Sequence, residues 1–193
     1  MVNGFATAIA AIDSQPEQMP RGSQGGEAAA LHSLLFGSKR ILTSPLLLQL
    51  AKSRALVDFS QGLDIRLITP DNVALLNRVR TKAVHFAWDN PNEDLTGYFQ
   101  RFAEMTAIKN FRNRRVYVLT NYGSTHEQDL YRVETLRRMG FDPYVMIYEK
   151  PTAPPLTRHL QRWVNNKRLF HAVPNFSDYE PVKKLRNSSM ETR

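Results

Sequence analysis

A carboxylate and a guanidinium stand two residues apart in the run GLDIRL, at Asp64 and Arg66. An Arg in that setting offers a planar fork of donors suited to a carboxylate or phosphate. Asp89 and Asn90 follow the apolar run VHFAW, Asn121 and Tyr122 follow VYVLT, and Glu149 follows YVMIY. Each polar group therefore comes just after a short apolar run. In parallel α/β proteins that place is the C-terminal end of a strand, where ligands bind. Asp89 at such an end can accept hydrogen bonds from ribose hydroxyls, or it can simply open the DNPNED turn. Two readings also fit Asp64 and Arg66: an internal salt bridge, or a grip on an anionic ligand. His85, Ala87 and Asp89 share one face of their run, and a histidine so placed is more often a satisfied core residue than a general base.

Other chemistries find no support in the sequence. There is no cysteine, so no disulfide, Cys-ligated zinc or Cys-held cluster can come from this chain. The five histidines show no metal-ligand spacing with nearby carboxylates. No GxGxxG, GxxxxGK[ST] or GxSxG pattern is present. Basic residues cluster at Lys109, Arg112, Arg114 and Arg115, and again at Arg158, Arg162, Lys167 and Arg168, with Trp163 and Phe170 interleaved in the second group. Arg158 and Arg162 are one helical turn apart, on one face. Such a face tracks a phosphate backbone or is an ordinary solvated surface. With 26 basic against 18 acidic side chains and a net charge of +8, contact with nucleic acid is a reading to keep.

The elements that must position these groups follow from hydrophobic periodicity. The apolar alternation over 63–68 predicts a first strand, with Leu63, Ile65 and Leu67 on one side and Asp64 and Arg66 on the other. Further strands are predicted at 83–88, 115–120 and 144–148. A helix is expected after Pro45, another after the cap Thr69 and Pro70, and a third carrying Leu95, Tyr98, Phe99, Phe102 and Met105. Thr125 and Gln128 read as a capping box, and Gly140 as the residue that ends that helix. A last helix is predicted over 156–165. This alternation means βαβ units and a parallel sheet, an α/β fold.

The chain has 193 residues, enough for one domain plus tails, and 42% hydrophobic residues, enough for a core. The Gly-, Pro- and Ser-rich stretch 13–27 is expected to leave 1–36 as a flexible arm, and the polar end 181–193 as a disordered tail. No transmembrane run is present, and the apolar N-terminus lacks the positive region of a signal peptide. With no cysteine, a cytoplasmic location is expected.

Taken together, VDFSQGLDIRLIT, VHFAWDN, RRVYVLTNYGSTHEQDLYRVETLRRMGFDPYVMIYEK and RHLQRWVN resemble the later strands of radical SAM proteins, closest to bacterial and phage-type members. GSKRILTSPLLLQLAKS is similar to that family's third strand and following helix, with Ser38 and Lys39 where an acidic run often stands. The resemblance spans about residues 37–180. It implies an incomplete (β/α) partial barrel of about four to five parallel strands with helices packed outside. Complete relatives hold a [4Fe–4S] cluster through a CxxxCxxC loop and cleave S-adenosylmethionine. Carried over, Arg66 and Asp64 would lie near the methionine part, Asp89 near the ribose, and Asn121 and Tyr122 near the adenine. A GxIxGxxE-type pattern is replaced by VHFAWDN, and the cysteine loop is missing. The expectation is a truncated or degenerate radical SAM-like protein, unable alone to anchor the cluster. Its partners would be a separate chain bearing the cysteine loop, nucleic acid at Arg158–Arg168, or another copy pairing at an exposed sheet edge. A fragment without activity is the remaining reading.

Overall fold

The computed structural model describes residues 44–181. The arm expected at 1–36, Ser38 and Lys39, and all but the first residue of the tail expected at 181–193 lie outside the described residues. Helix α1 (Ser44–Ser53) leads into strand β1 (Val57–Phe59), then α2 (Pro70–Leu76), β2 (Thr81–Ala87), α3 (Thr96–Met105), β3 (Arg114–Thr120), α4 (His126–Arg138), β4 (Asp142–Ile147), α5 (Pro155–Asn165) and α6 (Lys167–Ala172). All strand pairs are parallel, and the sheet order is β1-β2-β3-β4. The α/β fold with a four-stranded parallel sheet is as the alternation predicts.

An order that follows the sequence step by step has a consequence. Right-handed crossovers then place α2, α3 and α4 on the same face of the sheet. Burial agrees. Along β3, Val116, Val118 and Thr120 are buried, and Arg115, Tyr117 and Leu119 between them are partly exposed. The buried face collects Phe59, Val84, Phe86, Val116, Val118 and Val145. Phe86 meets Phe102 at 5.0 Å and Phe99 at 5.9 Å, both edge to face, and Trp88 stacks on Phe99 at 5.6 Å. Deleting a ring from such a packed cluster costs about 3–5 kcal/mol.

Local signals end and start the helices where the sequence places them. Thr69 Oγ1 accepts from the Asn72 amide while Asn72 Oδ1 accepts from that of Thr69, and Pro70 opens α2. Thr125 and Gln128 close the same reciprocal pair at the start of α4. Gly140 sits just beyond α4 at φ 74°, a conformation that costs other residues a Cβ clash.

The strand predicted at 63–68 is a correction. The first strand is Val57–Phe59, and Ile65–Leu67 is a 3-10 turn. Gly62, at φ 84°, turns the chain after Phe59, and Asp64 Oδ1 accepts the Arg66 amide at 3.0 Å, which winds the turn. Leu63 and Ile65 are buried as their alternation suggests, but Leu67 is exposed. Two apolar residues tucked under a turn imitate half a strand.

The two sheet edges differ. On the outer side of β4, Asn165 Oδ1 accepts the Val145 N–H at 2.9 Å, and Asn165 Nδ2 donates to the Val145 carbonyl at 2.9 Å. Gln161 donates to that same carbonyl and Lys167 to the Pro143 carbonyl. Side chains from α5 and α6 therefore take the bonds that another strand would make. Among the described residues, β1 pairs with β2 alone.

Candidate functional site

All five residues tied to S-adenosylmethionine by resemblance stand beyond the C-terminal ends of strands: Asp64 and Arg66 after β1, Asp89 after β2, Asn121 and Tyr122 after β3. Arg66 clasps Asp64 with both faces of its fork, Nε to Oδ1 and Nη2 to Oδ2 at 2.8 Å each, and its Nη1 lies 3.2 Å from Glu93. The salt-bridge reading is therefore realised, but at the rim and half exposed, not facing the interior of a strand. Asp64 foremost, then Glu93, raises the Arg66 pKa further and keeps the group charged. A ligand carboxylate reaching Arg66 would exchange with one of these two. Exposed ion pairs contribute little stability, so the exchange is cheap.

Asp89 is exposed, and its backbone carbonyl accepts from Arg132 at 3.2 Å. Asn121 takes a left-handed conformation, φ 62°, and donates through Nδ2 to the Tyr148 carbonyl at 2.9 Å. Tyr122 is exposed and meets the Tyr148 ring edge to face at 4.9 Å. The structure joins Asp64 with Arg66, while Asn121 and Tyr122 turn toward Tyr148.

Arg132 organises this rim. It is buried on α4 and pairs with Asp129 at 2.5 Å. It also donates to the carbonyls of Trp88 at 2.6 Å and Leu119 at 2.9 Å. One guanidinium thus ties α4 to the ends of β2 and β3. Burial lowers its pKa, with Asp129 opposing.

A second polar group crosses the face that α2, α3 and α4 leave free. Asp58 on β1, His85 on β2 and Tyr117 on β3 form a chain. His85 Nε2 lies 3.3 Å from Asp58 Oδ1, and its Nδ1 lies 3.2 Å from the Tyr117 hydroxyl. The acceptor at Asp58 assigns the proton of the neutral ring to Nε2 and leaves the Nδ1 lone pair toward the phenol. The rings of His85 and Tyr117 stack at 5.7 Å. Burial pushes the His85 pKa below 6.5; Asp58 opposes, and Arg115 and Lys82 reinforce the depression. His85 is a satisfied residue, as read from its run, yet its partners are a carboxylate and a phenol. The sequence reading missed Asp58 and Tyr117 because their meeting depends on parallel register: Asp58 stands beside Ala83, His85 beside Arg115, and Ala87 beside Tyr117.

The basic residues divide. Arg158 and Arg162 on α5 and Arg168 on α6 are exposed. Lys167 is not part of that surface: its Nζ pairs with Asp142 at 2.6 Å and donates to the Pro143 carbonyl. Trp163 and Phe170 are buried, so they are core residues and not a stacking platform; Arg137 lies over the Phe170 ring at 4.4 Å. In the other cluster Arg114 is buried beside Phe141, at 5.2 Å.

The residues present do not fit an iron–sulfur cluster, since the whole chain offers no thiolate. Among the described residues, no three His, Cys, Asp or Glu gather as a metal site, and no helix is long and apolar enough to cross a membrane. Comparison with protein-family models, with curated proteins and with solved structures finds no match to this chain.

Proposed function

We propose that this chain is the later part of a radical SAM-like partial barrel, supplying a wall that binds S-adenosylmethionine but not the cluster that cleaves it. The observation that supports the reading is the sequential parallel order of the strands, which collects Asp64, Arg66, Asp89, Asn121 and Tyr122 along one rim. Arg66 would meet the methionine carboxylate, Asp89 the ribose, and Tyr122 the adenine. Radical chemistry belongs to the cluster, so a partner chain with three cysteines would have to provide it.

Calorimetry with S-adenosylmethionine tests the reading. Binding heat is expected for the unmodified chain, reduced in Arg66→Ala and Tyr122→Ala. Absence of heat at millimolar ligand would overturn it. Anaerobic iron–sulfide treatment of this chain alone should leave its visible spectrum without cluster absorbance.

A second reading rests on the exposure of Arg158, Arg162 and Arg168 on consecutive helices. In it, this surface contacts a nucleic-acid backbone. Reversing Arg158 and Arg162 to Glu should then lower the salt slope of binding by at least about two, one per lost phosphate contact. An unchanged slope in a salt-dependent gel shift would exclude the surface.

A further inference from the structure

The chain Asp58–His85–Tyr117 lies away from the rim residues considered above, on the face of the sheet that α2, α3 and α4 leave free. Its parts match a general arrangement: a hydroxyl nucleophile, a base within hydrogen-bond reach, and a third group that orients the base. Tyrosine is a nucleophile of this kind once a base takes its proton. Here the hydroxyl lies 3.2 Å from Nδ1 of His85, and the opposite ring nitrogen lies 3.3 Å from Asp58. Each of the three comes from a different strand, so the sheet itself fixes their spacing.

We propose that Tyr117 is an activated phenol that takes acyl groups from electrophilic acyl donors, with His85 as its base and Asp58 holding the imidazole. The phenolic oxygen attacks the carbonyl carbon of the donor and the new O–C bond forms. The phenol proton passes to His85 Nδ1. The bond from the acyl carbon to its leaving group breaks, and the imidazolium returns the proton to that departing group. Asp58 stabilises the imidazolium while it exists.

The surroundings suit such a step. Among the described residues Tyr117 is partly exposed, on the face opposite α2, α3 and α4, which is the side from which a donor would approach. Tyr144, its register partner on β4, meets it edge to face at 5.8 Å, and Met146 two residues on is also exposed; together they offer an apolar wall for an acyl chain. Arg115 shares the face with Tyr117, two residues earlier on β3, and is engaged with Asp142 at 3.4 Å. The charged groups facing His85 are Asp58, Lys82 and Arg115; Lys82 pairs with Asp58 at 3.1 Å. Burial, reinforced by the two cations and opposed by Asp58, favours the neutral resting imidazole, which is the form a base requires.

The probe is N-acetylimidazole, applied to the full chain at pH 7.5, with peptide mass spectrometry reading each tyrosine. Exposure alone predicts that Tyr122, Tyr144 and Tyr148 react ahead of Tyr117, because all three are more open. The proposal predicts the reverse, with Tyr117 acetylated at least about tenfold faster, a modest share of what a positioned base supplies. His85→Gln and Asp58→Asn should each bring Tyr117 down to the rate of the other tyrosines while leaving Tyr144 unchanged. The Asp58 variant keeps the histidine and its packing, so it guards against a folding defect in the other. Tyr117 reacting no faster than Tyr144, or keeping its rate in Asp58→Asn, would overturn the proposal.

Discussion

Arg132 donates to the Trp88 carbonyl across 2.6 Å, joining a helix residue to the end of a strand 44 positions earlier. The same side chain satisfies Leu119 and neutralises the buried Asp129. Arg132→Met removes the cation and leaves Asp129 buried and uncompensated. The expected loss is about 3–5 kcal/mol, read from urea unfolding. A loss below 1 kcal/mol would mean that water replaces the guanidinium.

His85 makes stability depend on pH. Its folded pKa lies below 6.5 because burial disfavours the charged ring. The unfolded state therefore binds the proton more readily, and acid favours unfolding. His85 imposes no penalty above about pH 7; stability falls as pH drops below 6.5, until the folded ring itself protonates. Urea midpoints at pH 7.5 and 5.0 should differ more in the unmodified protein than in His85→Gln. Equal differences would assign the acid sensitivity elsewhere.

Asn165 seals the edge of β4 through paired bonds to Val145. Asn165→Leu leaves that N–H without its partner, at a cost of about 1–3 kcal/mol. It also opens the edge to pairing, so sizing chromatography should show larger species than the unmodified chain. An unchanged elution volume would mean that Gln161 and Lys167 protect the edge without it.

Gly140→Ala tests the end of α4. The residue stands at φ 74°, and an added Cβ would come within 2.7 Å of Arg114 Nη2. Because that atom is the tip of a flexible chain, the backbone conformation sets most of the penalty, about 1–2 kcal/mol. Thermal unfolding should detect it, and Gly140→Asn should lose less because Asn tolerates this region better. Equal losses would place the cost in the contact with Arg114 instead.

What was legible in the sequence was local. Thr69 with Asn72 and Thr125 with Gln128 set helix starts through bonds spanning three residues, and Gly140 marks an end by conformation alone. What was hidden depends on distant strands. The alternation of Leu63 and Ile65 is real, but whether it belongs to a strand is decided by Gly62 and by Asp64 folding back on Arg66. Asp89, Asn121 and Tyr122 follow strands as their runs suggest, but Asp64 and Arg66, read as strand residues, stand in a turn after β1, and the partner Glu93 for Arg66 lies 27 residues away in a loop whose path only the fold reveals. Tyr117 and Asp58 are ordinary strand residues until register sets them on either side of His85.

The unequal edges of the sheet give it a direction. Growth past β4 is blocked by amide and ammonium groups from the helices that follow it, so any further strand must enter alongside β1. Such a newcomer would lie next to Asp58 and bring its own side chains to the Asp58 end of the Asp58–His85–Tyr117 chain. Assembly and proton chemistry would then meet at one carboxylate, so that lengthening the sheet would also retune its tyrosine.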